Sequence, residues 1–194
     1  IKKGTFLYRT RSIPFEDDCH RKEEMLAPPP EKCVQGRLNP AGIPYLYCAF
    51  DEETALLEQR PSRGDSFSLA TLRTKCDIPV IDMNNSEGLS YARDEYGFVK
   101  VLNYIGDLFS FAVHKDDPVG YSPTQYFAEM LKRAGTGGIK YNSAMNSTGH
   151  NLVIFDQRLV DVIDVVPRKI GEMNIGFTYQ PFRGASMPTY SEPK

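Results

Sequence analysis

Four side chains in this sequence, Arg37, Tyr47, Glu58 and Ser143, are of types that together can handle a phosphorylated ribose. Arg37 lies in Gly36-Arg37-Leu38-Asn39-Pro40-Ala41-Gly42, turn chemistry from which a planar guanidinium can grip a diphosphate through two N–H groups at once. Tyr47, on the apolar run that follows, offers an aromatic face for stacking on a base. Glu58 offers a carboxylate that can accept ribose hydroxyls. It can also offset positive charge growing at an anomeric carbon as a leaving group departs, the demand met in glycoside cleavage. Ser143, at the end of Gly138–Ser143, can hold a ribose or an amide. Read singly, each has a commoner meaning: a surface arginine, a core tyrosine, a solvated helix glutamate and a strand-end hydroxyl.

The elements that must position them are legible in outline. Thr5-Phe6-Leu7-Tyr8-Arg9 reads as an opening strand, and Ala27-Pro28-Pro29-Pro30-Glu31 as extended loop because successive prolines oppose helix. Pro44–Phe50 is apolar and aromatic between turn signals, which predicts a largely buried strand. Asp51 stands where a helix N-cap belongs, before a helix Glu52–Gln59 with acids in its first turn and Pro61 beyond it. In that helix Thr54 and Ala55, small residues one turn before Glu58, leave its carboxylate room. Ser66–Arg73 and Pro79–Met83 read as strands, and residues 91–112 as an imperfect helix. Ser122-Pro123-Thr124-Gln125 predicts a Ser-capped helix with Pro first and a capping Gln, running to Gly135, with Tyr126 and Phe127 in the core. Gly138–Ser143, Asn151–Phe155 and Leu159–Val166 read as closing strands, and residues 181–194 as a loose tail. Regular strand–helix alternation is missing, so the expected class is α+β with mostly antiparallel strands and several short helices.

Bulk properties narrow the function. The 194 residues suffice for one domain with a core near residues 5–166. The net charge of −2 and the scattering of Lys and Arg among acids argue against nucleic acid as a direct partner. No apolar stretch approaches the ~18 residues of a membrane span. With no signal peptide visible, a cytoplasmic location is expected. Cys19, Cys33, Cys48 and Cys76 form no close pair and are expected as free thiols, Cys48 packed as a small hydrophobe. His20, His114 and His150 share no ligand spacing, so no metal is expected. Gly135–Lys140 resembles a phosphate loop only superficially, because it closes a helix and enters a strand. Ser143 lacks the Gly-x-Ser-x-Gly context of a hydrolase nucleophile.

What remains is a cluster in order. Gly36–Tyr47, the following Ala55-Leu56-Leu57-Glu58, the Tyr8-Arg9 pair, Gly138–Ser143 and Gly149–Phe155 together resemble the RES domain, a family named for an Arg, a Glu and a Ser. The matching positions are Arg37, Glu58 and Ser143, with Tyr47 as the family's tyrosine. Leu38 departs from the aromatic residue usual there, and segment 11–35 is longer than in compact members. The resemblance implies a single domain similar in fold to ADP-ribosyltransferases, acting as the toxin of a toxin–antitoxin pair. It implies NAD as substrate and no permanently bound cofactor. The nicotinamide–ribose bond would be cleaved by hydrolysis or phosphorolysis, with Arg37 on phosphate, Tyr47 stacking, Glu58 stabilising the transition state, Ser143 positioning, and Tyr8 and Arg9 lining the pocket. It further implies a helix-turn-helix antitoxin as partner. Transfer of ADP-ribose to a protein, or NAD binding without catalysis, are the rival activities on the same scaffold.

Overall fold

The computed structural model describes residues 1–14, 19–83 and 120–171. Among them, β1 (Phe6–Ile13), β2 (Leu46–Ala49), β3 (Ser66–Thr74), β4 (Val80–Asp82), β5 (Gly138–Asn142), β6 (His150–Ile154) and β7 (Val160–Lys169) join one sheet. Its order is β4-β5-β6-β2-β1-β3-β7. Every pairing among the described residues is antiparallel except β4 with β5. Among the described residues two α-helices accompany it, α1 (Glu52–Leu57) and α2 (Ser122–Arg133). The α+β class with mostly antiparallel strands therefore holds. The helix expected over residues 91–112 and the tail over 181–194 lie outside the described residues.

Apolar runs without alternation are explained by a sheet covered on both faces. In β6, Leu152 and Ile154 pack into one buried cluster with Leu7, Leu46 and Leu72, while Val153 packs into another with Leu38, Tyr45 and Phe127. Met25, at the end of the 3-10 turn Lys22–Met25, covers the first face, and α2 covers the second. Leu38 is fully buried in the second cluster, so the missing aromatic leaves a well-packed aliphatic under the loop. Pro30 opens a 3-10 turn, Pro30–Lys32, where extended chain was expected. Proline is tolerated at such a start because its missing N–H has no partner to lose.

The capping expectations divide. Asp51 caps α1 as expected, accepting from Thr54 N at 2.7 Å. The helix stops earlier than Gln59, at Leu57, with Glu58 as its C-cap and Arg60 in the left-handed region at φ 51°. At α2 the N-cap is Tyr121, and Ser122 is already helical. Gln125, expected to cap, is spent elsewhere, its Nε2 donating to Gly36 O at 2.8 Å, and its neighbour Thr124 directs Oγ1 to both Arg37 O at 2.5 Å and Tyr121 O at 2.9 Å. Thr124, Phe127 and Ala128, at helical spacing, form the buried stripe. Tyr126 falls outside it and is 77% exposed, contrary to the expectation that it is core.

One irregularity positions the site. β1 pairs with β3 along its whole length, from Phe6↔Arg73 to Ile13↔Ser66, yet meets β2 only at Tyr8↔Ala49. Beyond that single bridge the two strands part. The Arg9 side chain crosses the gap, its Nη1 donating to Tyr47 O at 2.7 Å.

Candidate active site

A cleft of about 620 Å³ opens where β1 and β2 part. Tyr8 to Ser12 line one side and Tyr47 to Ala49 the other, with Ala55, Glu58, Tyr141 and Asn151 among the remaining lining residues. The register explains the convergence. Tyr141 pairs with Asn151, Asn151 with Ala49, and Ala49 with Tyr8, so these four residues form one row across four strands. Alternation puts that whole row on one sheet face. α1 packs on the same face, where Thr10 Oγ1 donates to Ala55 O. Ala49 is the small member of the row, which leaves space for the Glu58 carboxylate above the sheet.

Glu58 and Ser143, 85 residues apart, meet directly. Ser143 Oγ and Asn151 Nδ2 both donate to Glu58 Oε1, each at 2.6 Å. Oε2 takes no hydrogen bond from the described residues. One oxygen is thus fixed and the other is left to the cleft. Ser143 is itself held, because its Oγ accepts from Met145 N and Asn146 N at 3.0 Å. Asn146 Nδ2 in turn donates to Thr54 Oγ1 at 2.9 Å, and Thr54 Oγ1 to Asp51 Oδ2 at 2.8 Å. The N-cap of α1 and the turn after β5 are therefore one network. Gly149 is required there, since a Cβ would lie 2.2 Å from Thr54 Oγ1. Asn151→Leu is expected to lower kcat roughly tenfold with KM little changed, the worth of one hydrogen bond to a charged group. Steady-state kinetics beside Ser143→Ala checks it; an unchanged kcat would show that Glu58 needs no such restraint.

Arg37 sits beside the cleft rather than among its lining residues, its Cζ 5.7 Å from the ring centroid of Tyr141, which does line it. That distance is a cation–π contact. Burial keeps the Tyr141 phenol above its ordinary range, so the ring stays neutral beneath the guanidinium. The loop carrying Arg37 is pinned by Tyr47, whose hydroxyl donates to Asn39 Oδ1 at 2.8 Å and accepts from Leu38 N at 2.9 Å. Asn39 is 3% exposed and also donates to Val34 O at 3.0 Å. Gly36 has to be glycine, because a Cβ would meet Asn39 Oδ1 at 2.5 Å. Tyr47 therefore braces the Arg37 loop with its hydroxyl while its side chain lines the cleft. Tyr47→Phe should cost about 1–2 kcal/mol of stability by leaving the Leu38 N–H unsatisfied. Chemical denaturation measures it, and an unaltered midpoint would mean that the hydroxyl is dispensable to the loop.

Arg9 is a buried charge in the cleft. Its Nη1 donates to Tyr47 O but its Nε has no partner among the described residues, and burial, with Arg11 nearby, lowers its pKa to about 10. It is still a cation at neutral pH, in a place that disfavours one. A bound anion would relieve that cost. Cys48, below Arg9, has its thiol pushed up to about 12 by burial and stays protonated. All four cysteines are free, as expected.

Of the six residues singled out in the sequence, Tyr8, Arg9, Tyr47 and Glu58 line the cleft, Ser143 backs Glu58, and Arg37 stands over Tyr141. Sequence reasoning missed Asn151, Tyr141, Arg11 and His20. Asn151 carried a usable signal, a polar side chain directly before the apolar run Leu152–Phe155.

Comparisons with known proteins agree on the scaffold. The sequence profile of the RES domain matches residues 7–173. The fold is similar to a chain in the crystal structure of the M. tuberculosis MbcT–MbcA toxin–antitoxin complex. That match has a TM-score of 0.54 and 16% identity, and covers 87% of this chain and 86% of that one. No curated protein matches the chain. With a profile match running from the opening strand past the last, the chain belongs to the RES domain family.

Proposed function

We propose that this protein is the toxin of a toxin–antitoxin pair and that it cleaves the nicotinamide–ribose bond of NAD. The observation that carries the reading is the pairing, in one cleft, of a half-restrained carboxylate with a buried guanidinium. Glu58 lines the cleft and is held through Oε1, while its Oε2 takes no hydrogen bond from the described residues, and Arg9 lines the same space with a buried Nε that has no partner among them. The volume of about 620 Å³ falls within the range of small-molecule sites, ~300–1,000 Å³.

In this mechanism Arg9, with Arg37 at the margin, holds the diphosphate, and the neutral rings of Tyr47 and Tyr141 flank a base. Glu58 Oε2 accepts ribose hydroxyls and stabilises the oxocarbenium-like ribose as nicotinamide departs. Ser143 and Asn151 fix the carboxylate so that little reorganisation accompanies charge development. Water or orthophosphate then takes the anomeric carbon. The similarity to a chain of the M. tuberculosis complex supports a partner antitoxin, of helix-turn-helix type by family, that covers the cleft.

An NMR time course of NAD with the purified protein, run with and without phosphate, tests the reading. Nicotinamide should appear together with ADP-ribose, or with its phosphorylated form when phosphate is present. NAD that persists alone, or labelled ADP-ribose found on lysate protein, would replace this reading with one of its rivals.

A further inference from the structure

His20 lies outside the roles assigned above, yet it lines the cleft together with Arg9 and Arg11. Its ring is held by Ser68, which is fully buried on β3 opposite Arg11. Three groups reach Ser68 Oγ: His20 N at 2.9 Å, Cys19 Sγ at 3.3 Å and His20 Nδ1 at 2.9 Å. A hydroxyl has two lone pairs and one hydrogen. The backbone N–H takes one lone pair, and with the thiol donating to the other the hydroxyl hydrogen is left for Nδ1. That makes Nδ1 an acceptor and puts the ring proton of the neutral imidazole on Nε2. Nε2 meets no hydrogen-bond partner among the described residues.

The geometry points to His20 as a phosphoryl-binding residue of the cleft, its Nε2–H donating to a phosphate oxygen beside Arg9 and Arg11. A directed donor lining one cleft with two arginines, the Arg11 guanidinium also donating to Glu24 O, matches an oxyanion better than a carbonyl, because the cations supply charge and the imidazole supplies direction. The oxygen can belong to the dinucleotide's diphosphate or to a free orthophosphate. The identity of the dinucleotide rests on the proposed function; the donor state of His20 does not.

Proton-coupled 15N spectra of histidine-labelled protein at pH ~8, above the ordinary imidazole value of about 6.5, read the ring directly. The free protein should show His20 with Nε2 protonated and Nδ1 bare. Titration with ADP-ribose in phosphate-free buffer, and separately with orthophosphate alone, should move the Nε2 resonance to saturation in at least one arm, and the responding arm names the source. His20→Gln, whose amide nitrogen matches Nε2, should keep affinity for that ligand within about threefold, whereas His20→Asn should lose roughly tenfold. A ring protonated on Nδ1, an Nε2 indifferent to both ligands, or His20→Asn binding as wild type would each overturn the inference. Full NAD turnover with a silent His20 sinks this inference alone. A phosphate-responsive His20 without NAD loss sinks the proposed reaction and leaves the inference standing.

Discussion

Glu58→Gln should suppress nicotinamide release by roughly 10²–10³-fold in kcat, the scale on which a preorganised group facing transition-state charge acts. The substitution isolates charge from shape. A glutamine carbonyl can still accept from Ser143 Oγ and Asn151 Nδ2, which meet Glu58 Oε1 at 2.6 Å. What changes is the atom facing the cleft, from a carboxylate oxygen to an amide nitrogen that cannot stabilise a cationic ribose. Unfolding should stay within about 1 kcal/mol of the wild type, because the network from Asp51 through Thr54 and Asn146 to Ser143 is untouched. Following nicotinamide by NMR beside a denaturation curve checks both halves. Turnover within threefold of wild type would remove Glu58 from the chemistry.

Arg9→Met should act on KM instead. A guanidinium holding a diphosphate binds ground and transition states alike, so its loss raises KM with kcat preserved. The expected rise is roughly 10–100-fold, from charge-assisted bonds of about 1.5–3 kcal/mol. Stability should move little because two effects oppose. Tyr47 O loses the donor 2.7 Å away, while a cation whose pKa burial lowers to about 10 disappears. Arg9→Lys should not rescue, since an ammonium lacks the planar fork. Initial rates across NAD concentrations decide it; an unchanged KM would place the diphosphate elsewhere.

These two residues also show what the sequence carries and what it withholds. α1 was readable because the signal is local: an Asp cap, acids behind it and an apolar run before it. Ser143 and Glu58 came only through family resemblance, since nothing in a span of 85 residues announces a hydrogen bond. The Ser122–Gln125 motif misled for a physical reason. Polar side chains at a helix start can bond either their own backbone or a neighbouring loop, and here Thr124 and Gln125 hold the backbone of Gly36 and Arg37. Tyr126 was placed in the core with its neighbour Phe127 on helical spacing, but adjacent residues point about 100° apart on a helix, and the buried stripe is set by Thr124, Phe127 and Ala128. The row Tyr141, Asn151, Ala49 and Tyr8 depends on strand register across four strands. Register is decided by tertiary packing and turn geometry, so no local pattern discloses it.

The lone backbone bridge at Tyr8↔Ala49 has a mechanical consequence. Above the shared apolar core, the backbone pairing between the two halves of the sheet runs through that one point, with the Arg9 guanidinium as a second, detachable link to Tyr47 O. An anion that draws the Arg9 guanidinium toward itself would compete with that link, so occupancy of the cleft would bear on the seam between β1 and β2 through a single side chain.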